Sequence, residues 1–295
     1  MNVRANIDTI TYVIISPVRN EEKFIEKTIQ SVTAQSILPF KWIIVNDGST
    51  DGTNNIIDKY ANAYNWITIV NRADKGHRPG EGPSGAFNEG LKYLDCDYDF
   101  IINLDGDVSF EPRYFEKLFA KFDKNPGLGI ASGKSYYLEK GNLVQYKCAD
   151  ISTMGPSKVY RKKCFSDIGK TLQEHIGWDM LDDLRAQMNG WETRSFSDLS
   201  FIHYKKIGQK RGNIFIAQFR SGRDYYSLGY HPIFMVAKCI YRVKDRPFLL
   251  GSVLIILGYT WAFFKKEKII LDNESAVFLR KRQMKQLQLR LKIPD

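Results

Sequence analysis

The sequence predicts an α/β protein in which helices cover both faces of a mostly parallel central sheet. Short apolar runs rich in β-branched residues alternate with segments of helical periodicity through the first 104 residues, and such alternation is typical of parallel sheets. Polar clusters follow three of the predicted strands, where sheets of this class bind ligands. The chain of 295 residues, 43% of them hydrophobic, can bury a large core and still carry an appendage.

The predicted elements alternate regularly along the chain. Each strand is a short run rich in β-branched and aromatic residues. Each helix repeats apolar residues every three or four positions, as Ile25, Ile29 and Val32 do. Residues 74–85 are rich in glycine and proline and are predicted to form a loop. The predicted strands are 12–16, 42–45, 66–70 and 100–104, and the predicted helices are 21–35, 56–64 and 84–94.

Polar residues follow the first, second and fourth predicted strands, at positions 16–21, 46–49 and 105–107. Because the carboxyl ends of parallel strands open on the same crevice, we expect these clusters to converge. Asp105 and Asp107 repel each other unless they share a cation, so the sequence predicts a hard divalent ion there. The alternative is a tight Asp-Gly-Asp turn in which Gly106 supplies a positive φ.

Charge is distributed unevenly along the chain. Residues 1–202 carry 24 basic and 27 acidic residues, whereas residues 203–295 carry 19 basic and 6 acidic ones. The last third is therefore expected to meet an anionic partner. Since its basic residues are interleaved with aliphatic ones, an anionic membrane surface is favoured over nucleic acid. Four scattered cysteines without a CxxC pair predict reduced thiols in a reducing compartment.

Four segments together resemble family 2 glycosyltransferases with the GT-A fold. They are YVIISPVRNEE, WIIVNDGSTDGT, GAFNEGL and FIINLDGD, in this order, and the resemblance covers about residues 12–203. It implies transfer of a hexose with inversion from a UDP- or GDP-linked donor. It also implies Mn²⁺ or Mg²⁺ as cofactor, with Asp107 as direct ligand. Asp105 would reach the donor ribose or a metal-bound water, and His203 would be a further ligand. The alternative for His203 is a structural histidine that binds no metal.

The resemblance also implies which residues bind the nucleotide-sugar. Asp47 would accept a hydrogen bond from the base, and Arg19 stands where the family commonly has an aromatic residue that stacks on it. Asn88 would organise a loop or touch the sugar. The implied nucleotide-sugar-binding residues are Pro17, Arg19, Glu21, Asp47, Asn88, Asp105, Lys210 and Arg211.

Inverting transfer needs a general base, which the family supplies as the second residue of an acidic pair at a helix N-terminus. Matching residues 177–191 to that segment places Asp179 at the second position of the pair, so Asp179 is the predicted base, whereas Trp178 stands where the family usually has Glu. Asp182 and Asp183 follow at i+3 and i+4 and are alternative catalytic carboxylates on the same helix face. Acids in the first turns of a helix also complement its dipole without any catalytic role.

Residues 247–264 form an uncharged run of 18 residues, at the lower limit for a membrane span. Basic residues on both sides favour a helix lying in the interface, or a re-entrant hairpin with residues 231–241, over a simple span. The alternative is a helix buried in a homo-oligomer. Residues 278–291 are predicted to form a basic amphipathic helix suited to anionic lipid. We therefore expect a catalytic domain over residues 1–212 and a membrane-associated helical region over residues 213–295.

Together these observations predict a metal-dependent glycosyltransferase at the cytoplasmic face of the cell membrane, acting on a lipid-linked or glycan acceptor. One alternative is transfer onto polyprenyl phosphate, in which the acceptor is already a nucleophile and Asp179 is dispensable. Another is a catalytically inactive scaffold that retains nucleotide-sugar binding. The Q-x-x-R-W motif of processive synthases is absent from the sequence, which argues against a polymer-extruding synthase.

Overall fold

The computed structural model describes residues 10–74, 76, 81–139, 141–170, 172, 177–205, 213–243 and 248–291. The chain divides into two compact units, residues 1–206 and residues 207–295. The domain boundary predicted from the sequence lies after residue 212.

The first half of the first unit is a parallel α/β sheet, as predicted. Its first strand lies between the second and the fourth, with Ile14 level with Trp42 and Ile102, and its third strand pairs with the second. Each predicted element is present, although the helices begin at different residues than the periodicity indicated. The strands are β1 (Tyr12–Val18), β2 (Lys41–Asp47), β3 (Ile67–Arg72) and β4 (Phe100–Leu104), and the helices are α1 (Ile25–Thr33), α2 (Thr53–Ala63) and α3 (Glu81–Leu91).

The second half of this unit makes the sheet mixed rather than mostly parallel. Of the eight pairings among described strands, four are antiparallel. The regular alternation on which the prediction rested ends at residue 104. The elements are β5 (Val108–Phe110), α4 (Tyr114–Lys124), β6 (Leu128–Glu139), β7 (Asn142–Gln145), β8 (Ser157–Arg161), α5 (Lys162–Asp167), α6 (Trp178–Met188) and β9 (Glu192–His203). The full strand order is β3-β2-β1-β4-β8-β6-β9-β5, and β7 pairs with β6.

Two hydrophobic cores lie on the two faces of this sheet. Successive residues of β1 alternate between them, since Ile14 belongs to one core and Ile15 to the other. The first core includes residues of α1 and α4, such as Phe115, and the second includes residues of α3 and α5, such as Phe87 and Phe165. The prediction of helices on both faces is therefore confirmed.

The second unit is helical within the described residues. It contains α7 (Ile214–Ser227), α8 (Pro232–Tyr241), α9 (Leu250–Phe264) and α10 (Asn273–Leu291). Helices α7 and α9 meet at two glycines. A Cβ on Gly222 would lie 2.0 Å from the Ile255 carbonyl oxygen, and one on Gly258 would lie 2.0 Å from that of Phe219. Any larger side chain would separate these backbones, so glycine is required at both positions.

The helices predicted in the last third of the chain do form. The apolar run folds as α9, of 15 residues. The basic helix begins earlier than predicted and is anchored within its unit, because Arg280 donates to the Gly229 carbonyl and Gln283 accepts from the His231 amide. Across the ranges that the structure describes, no helix combines the length and the apolar character needed to cross a bilayer.

Candidate active site

Two carboxylates and one imidazole converge where β4 ends and β5 begins. Potential ligand atoms of Asp105, Asp107 and His203 all lie within 4.8 Å of one another. His203 reaches this position because β9 runs antiparallel to β5, which places it level with Val108. Its Nε2 lies 3.3 Å from Oδ1 of Asp107. Residues almost 100 positions apart are thus brought together by one strand pairing.

The glycine between the two aspartates is explained by close packing. A Cβ on Gly106 would lie 2.9 Å from Cγ1 of Val18 and 3.2 Å from Cγ of Glu21. Gly106 is not among the residues with positive φ. The alternative reading of Asp-Gly-Asp as a turn that needs a left-handed glycine is therefore wrong. The glycine instead allows the loop after β1 to lie directly against the acid pair.

The acid pair and Glu21 form an electrostatically strained cluster. Burial and then the charge of Asp107 raise the pKa of Asp105 to about 7, and the same two causes raise the pKa of Glu21 to about 7 despite its ion pair with Lys205. Burial alone would lower the pKa of His203, but its hydrogen bond to Asp107 and the nearby acids raise it overall. A divalent cation would relieve the repulsion among these carboxylates.

The donor set fits a divalent metal. Carboxylate oxygens suit Mg²⁺ and Mn²⁺, and an added imidazole nitrogen favours a first-row transition ion such as Mn²⁺. The Nδ1 atom of His203 is buried and has no hydrogen-bond partner within the described parts of the chain. Asp107 and His203 are also buried, so a bound ion would be held in a largely water-excluded place.

A second polar group lies at the ends of β1, β2 and β3. Asp47 pairs with Arg72 at 2.9 Å, while Arg19 pairs with Asp74 at 2.7 Å and donates to the Asp47 carbonyl. Gly48, with φ of 68°, lets Asp74 approach, because a Cβ there would lie 2.4 Å from the Asp74 Cα. These residues form a charged cradle at the strand ends, where the sequence predicted the nucleotide.

The structure describes two of the remaining residues that were predicted to contact the nucleotide-sugar, and it does not describe the other two. Pro17 is half-buried and lies level with Val45 in the sheet. The Asn88 side chain makes two hydrogen bonds to the Leu172 backbone, of 2.9 and 2.8 Å. This geometry is that of a loop-organising residue. Lys210 and Arg211 lie outside the described residues, and their predicted role stays a prediction.

Asp179 is the second residue of α6, and the φ of 83° at Gly177 turns the chain into this helix. Its carboxylate packs on Gly155, since a Cβ on Gly155 would lie 3.2 Å from Oδ2 of Asp179. The carbonyl oxygen of the next residue, Pro156, accepts a hydrogen bond of 2.9 Å from the Asp105 amide. The charge of Asp179 contributes to the raised pKa of Asp105. The structure therefore brings the predicted base and the acid pair to the same part of the sheet.

Asp182 and Asp183 are buried beneath the same helix. Asp182 accepts a hydrogen bond of 2.7 Å from the Tyr160 hydroxyl. Asp183 pairs with Lys158 at 3.1 Å and accepts from the amide and hydroxyl of Thr153, at 2.8 and 2.6 Å. These two aspartates point into the protein because this side of α6 packs on the sheet. Their burial and their partners favour Asp179 over Asp182 and Asp183 as the base, and the catalytic assignment of all three stays a prediction.

Comparison with known proteins identifies the family. Residues 13–176, more than half of the chain, match the model described as glycosyl transferase family 2. The chain belongs to glycosyl transferase family 2. Curated relatives include the poly-beta-1,6-N-acetyl-D-glucosamine synthase of Staphylococcus epidermidis, 28% identical over 59% of this chain and 45% of the relative. They also include the poly(ribitol-phosphate) beta-N-acetylglucosaminyltransferase TarS of Staphylococcus aureus (strain Mu50), 25% identical over 73% of this chain and 38% of the relative. The chain thus spans less than half the length of these relatives.

Solved structures share the fold at lower identity. S. aureus TarS 1-349 in complex with UDP-GlcNAc superposes with a TM-score of 0.57 at 18% identity, over 92% of this chain and 78% of that one. The mannosyltransferase PcManGT from Pyrobaculum calidifontis, in complex with GDP-Man and Mn²⁺, gives a TM-score of 0.55 at 16% identity, over 96% of this chain and 82% of that one. This family 2 chain therefore has a GT-A fold with a mixed sheet, as the resemblance implied.

The structure adds residues to the family 2 site that sequence reasoning missed. Arg72 is the last residue of β3 and Asp74 lies two residues after it, and the strand-end rule applied to the other three strands would have found them. Lys205 pairs with Glu21, and nothing in the sequence indicated this pair. Lys158 is completely buried in β8 next to α6, and no spacing pattern in the sequence links it to its partners.

Proposed function

We propose that the protein is an inverting, metal-dependent hexosyltransferase that uses a nucleotide-sugar donor. The observation that carries the proposal is the convergence of Asp105, Asp107 and His203 beside Asp179. Family membership makes glycosyl transfer the expected chemistry for this arrangement. The structurally similar enzymes were captured with UDP-GlcNAc and with GDP-Man and Mn²⁺, so we propose a UDP- or GDP-linked sugar.

In this proposal each residue of the candidate site has a role in binding or catalysis. Asp107 and His203 hold Mn²⁺ or Mg²⁺, and Asp105 completes the site or binds the donor ribose. A bound cation would offset the negative charge that develops on the departing nucleoside diphosphate. Arg19, Glu21 and Asp47 bind the nucleotide at the strand ends, and Asn88 supports the adjacent loop. The Asp179 carboxylate takes the proton from the acceptor hydroxyl as that oxygen attacks the anomeric carbon.

We further propose that the acceptor is lipid-linked or a glycan and is met at the cytoplasmic face of the cell membrane. The support comes from α9, which is apolar on two faces. One face is buried and rich in small residues. The other face carries large apolar residues at helical spacing, all exposed: Leu250, Val253, Leu257, Trp261 and Phe264.

The length and charge of this region suit a helix that lies in the membrane interface. At 1.5 Å per residue, α9 is about 22 Å long, which is shorter than the hydrocarbon core of a bilayer. Residues 207–295 carry 17 basic and 6 acidic residues, so anionic headgroups would attract them. The alternative occupant of the exposed face of α9 is a second copy of the chain.

A donor panel tests the proposed reaction. The purified protein is heated with UDP-GlcNAc, GDP-mannose, dTDP-glucose or no donor, each with and without Mn²⁺, and its melting temperature is recorded. We expect one nucleotide class to raise the melting temperature, and to do so more strongly with Mn²⁺. Incubation with membrane lipid extract as acceptor should then release the nucleoside diphosphate. Binding without release would support the inactive scaffold, and absence of any metal-dependent donor binding would overturn the proposal.

A further inference from the structure

Lys158 is a completely buried lysine and the second residue of β8. Its ammonium group lies 3.1 Å from Oδ1 of Asp183 and donates a hydrogen bond to the backbone carbonyl of Asp179. A buried charge is costly unless it is paired and fully hydrogen-bonded. This lysine therefore has partners that hold it in place, and both belong to the helix that carries the predicted base.

The charges around Lys158 keep it in its ammonium form. Burial alone would lower its pKa, but the charges of Asp183, Asp182 and Asp179 outweigh burial and raise the pKa overall. Burial raises the pKa of Asp182 to about 7, and the charge of Lys158 and the Tyr160 hydroxyl oppose that rise. The Lys158 ammonium group thus offsets the charge of several acids that could not otherwise be buried side by side.

The contacts of Lys158 join three parts of the site. Its own strand, β8, is hydrogen-bonded to β4, which leads into Asp105. Its partner Asp183 is bound by the amide and hydroxyl of Thr153, two residues before Gly155. The carboxylate of Asp179 packs against that same Gly155. The ammonium group therefore connects the sheet, the first turn of α6 and the loop on which the predicted base rests.

We propose that Lys158 is a positioning residue for glycosyl transfer, which fixes the first turn of α6 and so holds the Asp179 carboxylate beside the acid pair. The inference rests on the proposed function, because Asp179 needs a defined position only if it acts on an acceptor. Proton transfer requires the base within hydrogen-bond reach of the acceptor hydroxyl. A shift of about 1 Å in such a group costs roughly 10²-fold in rate.

The test is the substitution Lys158→Met. Methionine has a side chain of nearly the same length but lacks the charge and the hydrogen-bond donor of lysine. Donor affinity and the number of nucleotide-binding sites are measured by calorimetry with Mn²⁺, and turnover is then expressed per binding site. We expect turnover at saturating donor to fall by roughly 10²-fold, with donor affinity unchanged. A lysine that only stabilised the fold would lower the melting temperature and the number of sites, and would leave turnover per site as in the wild type.

Lys134 offers a matched control in the same sheet. It is 2% exposed, and its ammonium group bonds to the Cys148 carbonyl, Asp150 and the Ser195 hydroxyl. Lys134→Met removes an equally buried lysine whose recorded bonds do not involve α6. We expect it to lower stability and to leave turnover per site unchanged.

A second variant covers loss of folding by the first. Lys158→Met with Asp183→Asn removes both charges of the pair, so neither is left buried alone. It should fold and still show the loss in turnover, because the Asp179 carbonyl lacks its donor. Wild-type turnover per site in either Lys158 variant, an equal loss in Lys134→Met, or failure of both Lys158 variants to bind nucleotide would overturn the positioning role. A wild-type protein without transferase activity would overturn the proposed function itself. Failure of the positioning role can therefore be distinguished from failure of the proposed function.

Discussion

Asp107 shows why a buried strand of this protein ends in acids. Only 4% of the residue is exposed, and it lies beside Asp105 and Glu21, whose pKa values are raised by burial first and then by the charge of Asp107. Such an arrangement is unfavourable for stability alone. It becomes favourable when a divalent cation binds, because the ion replaces mutual repulsion with shared attraction.

The first prediction concerns this carboxylate. Asp107→Ala removes a proposed ligand and one charge from a repulsive cluster, so the protein should fold with a melting temperature near that of the wild type. Donor affinity should no longer increase when Mn²⁺ is added, which calorimetric titration with and without the metal measures. Asp198→Ala, which removes an exposed acid paired with Lys121, is the control and should keep the metal effect. An unchanged Mn²⁺ effect in Asp107→Ala would rule out the ligand role.

At this scale the sequence indicated some residues and not others, for physical reasons. Asp105 and Asp107 could be predicted because two neighbouring carboxylates at a strand end repel each other unless a ligand binds them. Asp182 and Asp183 could not be placed, because helical spacing shows that residues share a face but not what that face packs against. Lys158 could not be found, because its partners are distant in sequence and no spacing pattern links them to it.

The elements of the first 104 residues could be predicted because each strand is followed by a helix with its own periodicity. The register that brings His203 level with Val108 could not. It depends on an antiparallel pairing between strands more than 80 residues apart, and apolar alternation within a strand does not identify its neighbour. The candidate site is therefore predictable on its nucleotide side and less so on the side where β9 completes it.

Helices α7 and α9 give the second prediction. Gly258→Ala places a methyl group where only 2.0 Å separates it from the Phe219 carbonyl oxygen, so the two helices must move apart. We expect a loss of about 1–3 kcal/mol in local stability, the usual cost of overpacking. Hydrogen exchange measured by mass spectrometry should show faster exchange in both helices.

Thr260→Ala provides the control for this substitution, because Thr260 is an exposed residue of the same helix. It should leave the exchange of α7 unchanged. Equal protection in the wild type and in Gly258→Ala would mean that the close approach of the two helices is not required.

On the scale of the whole molecule, charge and exposed apolar surface are concentrated in the second unit. Residues 1–206 carry 26 basic and 27 acidic residues, whereas residues 207–295 carry 17 and 6. The exposed residues Leu257 and Trp261 of α9 lie in this basic region. A unit that combines positive charge with an uncovered apolar helix face is suited to the surface of an anionic bilayer.

The third prediction follows from this combination. The double substitution Leu257→Glu and Trp261→Glu should abolish flotation of the full chain with vesicles of phosphatidylcholine and phosphatidylglycerol, because carboxylates oppose insertion of the helix face. High salt should weaken wild-type binding only in part, since the apolar contacts remain. The control is the pair Leu138→Glu and Leu143→Glu, which lie opposite each other on β6 and β7 and are each 56% exposed.

The outcome of this comparison also separates the two occupants of the α9 face. Loss of flotation in the α9 variant alone would support the membrane. A wild-type protein that ignores the vesicles and forms a dimer, which the α9 substitutions dissociate, would assign the face to contact between copies of the chain.

The central claim is that one crevice binds the donor through a metal and transfers its sugar with the help of Asp179. Its most direct test is the turnover of Asp179→Asn at saturating donor, with donor affinity measured on the same preparation. The account predicts a loss of roughly 10²–10⁴-fold in turnover, the usual contribution of a general base, with donor affinity unchanged. Wild-type turnover in this variant would contradict the account, and would instead favour an acceptor such as a polyprenyl phosphate that needs no base.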